Sequence, residues 1–293
     1  MATKSVHSNF PVLALLVGAT LWGVVWYPMR LLEGAGLSSL WLTTWLFLAS
    51  AVAGGVLAWR YRHWFGRRPW LLACIAISAG WANLAFILAI LDGNIMRVLF
   101  LFYLSPVWAV LLGWLFLKEH ISVVTIGVLV VAVIGGAMML WQPGESRLWP
   151  DDAADWLALS SGFAFAVSNI FIRYGQEIPV RIKALSSWIG VVFIVVIFIL
   201  VQQPPVPQVG IGVYVGVVAL AWFGLVAMTL LVQFGVSHMP VHRSAIILLF
   251  ELVAGAISQQ LLTTESMTMV EWVGGGLVVV AAALTALRER DSV

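Results

Sequence analysis

The sequence predicts an all-α membrane protein of ten transmembrane helices, arranged as two inverted five-helix repeats. Three observations predict it. Of 293 residues, 62% are hydrophobic and only 10% charged, whereas charged residues make up about a quarter of a soluble domain. The apolar residues fall into ten runs, each close to the roughly 20 residues that a bilayer-crossing helix needs. One of these, Leu101 to Glu119 (LFYLSPVWAVLLGWLFLKE), recurs in diverged form as Ile247 to Glu265 (ILLFELVAGAISQQLLTTE). A 146-residue shift puts Glu119 on Glu265 and Ser105 on Glu251, as expected of two halves built on one plan.

The elements follow in order. The run 11–32 comes after a short polar start, MATKSVHSNF, with no small-residue cleavage site, so it reads as a retained helix. Gly34-Ala35-Gly36 turns the chain into 38–59. Arg60, Arg62, Arg67 and Arg68 form a charged loop before 69–91, which opens on Pro69. Asp92-Gly93-Asn94 is a tight turn into 94–117. Lys118-Glu119 closes that run, and 121–141 follows. The longest polar stretch, from Pro143-Gly144 to Asp155, joins the halves, giving repeats over 1–150 and 151–293. The second half holds 153–173 and 182–203. Pro204-Pro205-Val206-Pro207 cannot extend a helix, because proline lacks the amide donor. Then come 208–232, 241–263 and 269–287.

Charge fixes the orientation. With the N-terminus inside, the inner face carries Lys4, Arg60, Arg62, Arg67, Arg68, Lys118, Arg173, Arg181, Lys183, Arg243, Arg288 and Arg290, and the outer face only Arg30, Arg97 and Arg147. This excess of inner cations predicts that both termini are cytoplasmic, in a multi-pass inner-membrane protein. Five helices per half is an odd number, so the second half enters from the opposite face, and a substrate site is expected near the midplane between the halves. The first helices of the halves match more weakly: Trp22 to Arg30 falls on Phe165 to Arg173 with an offset of 143.

The WG pair of the first helix, the stretch SPVWAVLLGWLFLKE and its second-half echo resemble the ten-helix EamA-type members of the drug/metabolite transporter superfamily. Helices 1 and 4 resemble in particular the YddG-type exporters of aromatic amino acids. The second copy departs from the family pattern, with Leu252 where proline usually follows the glutamate. The resemblance implies an exporter of small metabolites working by alternating access.

Glu251 leads the candidate site. It lies about ten residues from either end of its run, and a charge there costs roughly 2.5–3.5 kcal/mol on insertion scales. It is read either as a cavity-facing carboxyl that binds an amine or takes a proton, or as a protonated acid bonded to a neighbouring helix. Ser244, Glu251, Gly255 and Ser258 form one stripe at helical spacing. Ser105 is the first-half counterpart of Glu251. Pro106 and Pro28 are hinge or gate candidates, freeing the carbonyls of Phe102 and Val24. Trp22, Trp81, Tyr103, Phe165 and Trp222 fall mid-helix, where they could stack on an aromatic solute or its ammonium group, or simply pack. Trp26 shares a face with Trp22. Asn83 and Asn169 (and Gln233) could bond a substrate or another helix; Trp81 and Asn83, two apart, cannot both point squarely inward. His238 and His242, flanking Pro240, read as surface groups rather than pH sensors, and Lys118-Glu119-His120 as a helix-end charge arrangement or an inner gate element, with the structural reading preferred.

Other classes fare worse. An intramembrane enzyme needs activated groups, but there is no HExxH, no aspartate read within a helix, and all five histidines sit in loops or at ends. The single cysteine, Cys74, argues against a disulfide or a Cys-built metal centre. No metal or cofactor is expected. A net charge of +2 gives no reason to expect nucleic acid. A channel should show a ring of repeated polar residues. The expected partners are a small-molecule substrate, with amino acids first and a sugar nucleotide or drug as the alternative cargo, and the lipid bilayer. The chain is expected to work as a monomer.

Overall fold

The computed structural model describes residues 10–92, 95–141, 150–263 and 267–287; side-chain statements exclude 91, 92 and 95–97. Among these residues there are nine helices long and apolar enough to cross a membrane and one shorter apolar helix. They are α1 (Phe10–Gly34), α2 (Ser39–Tyr61), α3 (Pro69–Ile90), α4 (Val98–Leu117), α5 (Val123–Met139), α6 (Ala153–Tyr174), α7 (Val180–Gln202), α8 (Ile211–His238), α9 (Val241–Leu262) and α10 (Met269–Leu287). A short helix, Trp64–Arg67, lies in the charged loop before α3.

The packing exchanges between the halves as an inverted repeat requires. α1 packs on α8 and α9, while its counterpart α6 packs on α3 and α4. α3 packs on α7, and the π-helical middle of α8 (Leu220–Leu225) packs on α2. α5 and α10, the last helix of each half, pack on each other. Lipid offers no hydrophobic drive between helices, so close backbone approach has to hold them together. At α5–α10, a Cβ on Gly135 would sit 2.7 Å from the Gly274 carbonyl oxygen. At α3–α7, a Cβ on Gly80 would sit 2.6 Å from that of Gly190.

Three transmembrane helices are broken mid-span. α1 turns at Val25, three residues before Pro28, and α4 turns at Tyr103-Leu104, just before Pro106. In both, the missing proline amide accounts for the break. α9 breaks at Leu249 without a proline. The 146-residue shift that relates the halves puts this break on the one at Tyr103.

Several expectations are corrected. α8 runs to His238 rather than 232, because Gln233 and Ser237 are buried and bonded within the bundle. α5 is shorter than its expected run, at 17 residues. Asp155, taken not to lie in a helix, sits buried in the first turn of α6, where it accepts from the Asp151 amide. His242 is not a surface group: it is 5% exposed in the first turn of α9. Glu265 lies outside the described residues, as do Lys4, Arg147, Arg288 and Arg290.

Candidate functional site

The breaks in α4 and α9 bring together two of the expected residues. Tyr103, in the turn of α4, and Glu251, two residues past the break of α9, face each other, phenol towards carboxyl. Neither side chain is fully buried. Aromatic rings gather beside them. Phe102 lies 5.2 Å from Tyr103, 5.7 Å from Phe165 of α6 and 4.8 Å from Phe86 of α3, centroid to centroid. Such spacings are favourable tilted and edge contacts. Phe86 and Phe102 were not among the expected site residues; Phe86 sits in the unbroken apolar run of α3 and Phe102 beside the more polar Tyr103.

The freed carbonyl of Phe102 does not open into the site. Gly162 of α6 is pressed against it, so that a Cβ there would lie 2.6 Å from the oxygen. Ser105, the counterpart of Glu251, is buried beside Pro106. On the other flank, Gly23 of α1 meets the Glu251 carbonyl, with a Cβ position 2.6 Å from that oxygen. One turn further along, the Trp26 indole donates to Ser258 at 2.8 Å, and Ser258 donates to the carbonyls of Gly255 and Gly23. Trp26 and the polar stripe of α9 therefore fasten α1 to α9 next to the carboxyl. Ser244, in that stripe, bonds only its own helix, at the Val241 carbonyl.

The remaining expected residues disperse. Trp22 is half-buried where the two largest apolar clusters meet. Asn169 is 4% exposed, with no hydrogen-bond partner among the described residues, one turn from Phe165 on the same face of α6. Its amide atoms are not sealed within the packing, so they are ready groups for a solute or water. Trp81 is 41% exposed and donates to Ser160 of α6 at 3.3 Å. Asn83 donates to Ala79 of its own helix. Trp222 is 48% exposed and bonds the Ala49 carbonyl of α2, away from the Tyr103–Glu251 pair.

Two polar clusters lie at the end of the bundle where α4 stops and α9 starts. Lys118 adopts a left-handed conformation (φ 54°), which turns Glu119 back over Gly113. The Glu119 carboxylate accepts from the Val241 amide at 2.9 and 3.0 Å and meets the His242 Nδ1 at 2.9 Å. It thus caps the start of α9, where helix amides and dipole favour an anion. Burial works to raise the Glu119 pKa, but the His242 and Val241 hydrogen bonds together outweigh it and hold the carboxyl below its ordinary value of 4.5. A depressed carboxyl pKa adds stability that is complete above the unfolded pKa and lost as pH falls through the folded one. The purified protein should therefore lose thermal stability below about pH 4.5, and Glu119→Gln should flatten that part of the profile. An unchanged acid limb in the variant would exclude the clasp as its source.

The second cluster surrounds Lys183, counted among the inner-face cations at the start of the run 182–203 and found 0% exposed in α7. Its ammonium donates to the carbonyls of Ile172 and Gly175 at the end of α6, and to Ser237 of α8. Ser237 donates to Gln233, Gln233 to Ser187, and Ser187 back to the Lys183 carbonyl. These side chains close a ring between α7 and α8. Nearby, Arg173 donates to the Ser237 carbonyl at 2.7 Å.

Comparison with known proteins fits this architecture. The model of a family described as "EamA-like transporter family" matches residues 9–141 and again 152–287. A solved structure, titled only as the crystal structure of a protein, superposes with a TM-score of 0.74 over 96% of this chain and 98% of its own, at 18% identity. At that identity the likeness is one of fold. No curated protein matches the chain.

Proposed function

The chain belongs to the EamA-like transporter family, and from that premise we propose that it exports small metabolites, above all aromatic and other bulky neutral amino acids, by alternating access through a central cavity. Its place is the inner membrane, with both termini cytoplasmic, on the strength of the Lys and Arg bias, and it works as a monomer. The observation that carries the reading is the Tyr103–Glu251 pair at the paired helix breaks, set beside the rings of Phe86, Phe102 and Phe165. A zwitterionic amino acid needs an acceptor for its ammonium and donors for its carboxylate, because neither charge tolerates an apolar surround. Glu251 supplies the acceptor, while Ser105 and Asn169 supply donors. The rings supply faces for an aromatic side chain. Broken helices around a midplane site are the usual construction of inverted-repeat carriers.

Cells producing the protein should tolerate toxic analogues of tryptophan or phenylalanine better than controls. Proteoliposomes containing it should take up radiolabelled phenylalanine, with a pH gradient present or absent telling proton coupling from downhill flow. Equal sensitivity together with inert liposomes, the protein being present in both membranes, would remove amino acids as cargo.

A further inference from the structure

The inner and outer halves of α4 and α9 are packed differently. Ser105–Leu117 lies against Val241–Leu248, with Ala109 and Leu112 of the first meeting Val241 and Ala245 of the second in one buried cluster. Past the breaks, Ile95–Phe102 and Phe250–Leu262 make little contact with each other among the described residues. The two helices therefore touch at one end and part at the other. The end where they touch is closed by the Glu119 carboxylate, bonded to the first amide of α9 and to His242, with the Glu119 side chain 12% and the His242 side chain 7% exposed. Because both helices are interrupted at mid-span, each inner segment can swing without its outer one.

We propose that the Glu119 clasp is the bolt of the cytoplasmic gate, a reading that rests on the topology and export role argued above. While the carboxylate caps α9, the inner halves of α4 and α9 stay joined and the Tyr103–Glu251 site is shut off from the cytoplasm. Cargo enters only when the carboxylate leaves the Val241 amide and the inner segments separate at Ala109, Leu112 and Ala245.

The test reads gate opening directly. Ala245→Cys, in a Cys74→Ala background, places a thiol in the sealed inner seam, and a membrane-impermeant maleimide is applied to vesicles of either orientation. Two variants break the clasp differently. Glu119→Ala removes the acceptor. Val241→Pro removes the amide donor while suiting the first position of a helix, and Pro240 before it already has the extended ψ of 141° that a following proline requires. Either change should raise labelling from the side of the chain termini about tenfold or more, the population shift expected from losing a charge-assisted hydrogen-bond pair. Unchanged labelling in variants that elute like the parent overturns the proposal, and so does a rise confined to the opposite face. If Glu119→Ala does not fold, Val241→Pro decides alone. The readout involves no cargo, so raised labelling without amino acid transport refutes only the cargo, and transport with flat labelling refutes only the bolt.

Discussion

Glu251→Gln is expected to insert and fold like the parent yet lose at least about tenfold in transport, the scale of one buried charge-assisted interaction. Glutamine keeps the shape of the side chain and, facing the Tyr103 hydroxyl, still offers it a carbonyl acceptor, so the α4 and α9 breaks keep a polar neighbour on each side. What disappears is the negative charge. A cargo ammonium then meets a neutral carbonyl in an apolar surround and keeps much of its desolvation cost. If the carboxyl carries a proton rather than meeting the ammonium, the variant should instead keep its rate and lose its dependence on pH. Counterflow of labelled substrate distinguishes the cases. A variant that exchanges at the parent's rate, with the same dependence between about pH 5 and 8, would reduce Glu251 to a structural residue.

Gly190→Ala should be the most damaging small substitution in the bundle. A Cβ there would fall inside the backbone of α3, 2.6 Å from the Ala76 Cα and closer still to the carbonyl of that residue. Backbone cannot rotate away as a side chain can, so α3 and α7 must separate along a seam that also holds Gly80. The cost should be about 2–3 kcal/mol, a fall of roughly 5–10 °C in the melting midpoint in detergent. Gly127→Ala is the control: nothing lies within 4 Å of its Cβ position, so the midpoint should hold or rise slightly. Equal midpoints for the two variants would mean that the α3–α7 seam yields without cost.

The helices were legible because a bilayer leaves little choice: each crossing needs a run of apolar residues, and the polar turns between runs are plain. The α4 and α1 breaks were legible too, since Pro106 and Pro28 remove amides. The α9 break was not, because Leu249 carries no chemical mark; only the repeat, which sets it on Tyr103, could have disclosed it. Errors gathered where polar residues are satisfied inside the protein. Ser237 and His238, past the expected end at 232, looked like the edge of the membrane and belong to α8. Lys183 looked like a topology signal at the inner end of a helix and is buried among carbonyls at the end of α6. At the site, the sequence singled out Glu251 and Tyr103 separately, but not that they face each other, and gave no sign that Trp222 faces α2. A one-dimensional pattern shows which groups need partners; only the fold shows which partners they find.

The ring of Lys183, Ser237, Gln233 and Ser187 has a mechanical side. Each hydroxyl in it both accepts and donates, and α7 cannot slide along α8 without breaking both the Lys183–Ser237 and the Gln233–Ser187 bond. The pair behaves as a stator: whatever turns during a transport cycle must turn against it, at places with less to break. In hydrogen–deuterium exchange, amides around Ser187 and Gln233 should be among the slowest in the bundle and those at Tyr103 and Leu249 among the fastest. Ser237→Ala should quicken the first group and leave the second as it was. The asymmetry is one that an exact inverted repeat would lack, since the shifts of 143 and 146 both set Lys183 on leucine-rich sequence, at Leu40 and Leu37. One half of the molecule is thereby anchored, and the opposite half is left the freer to move.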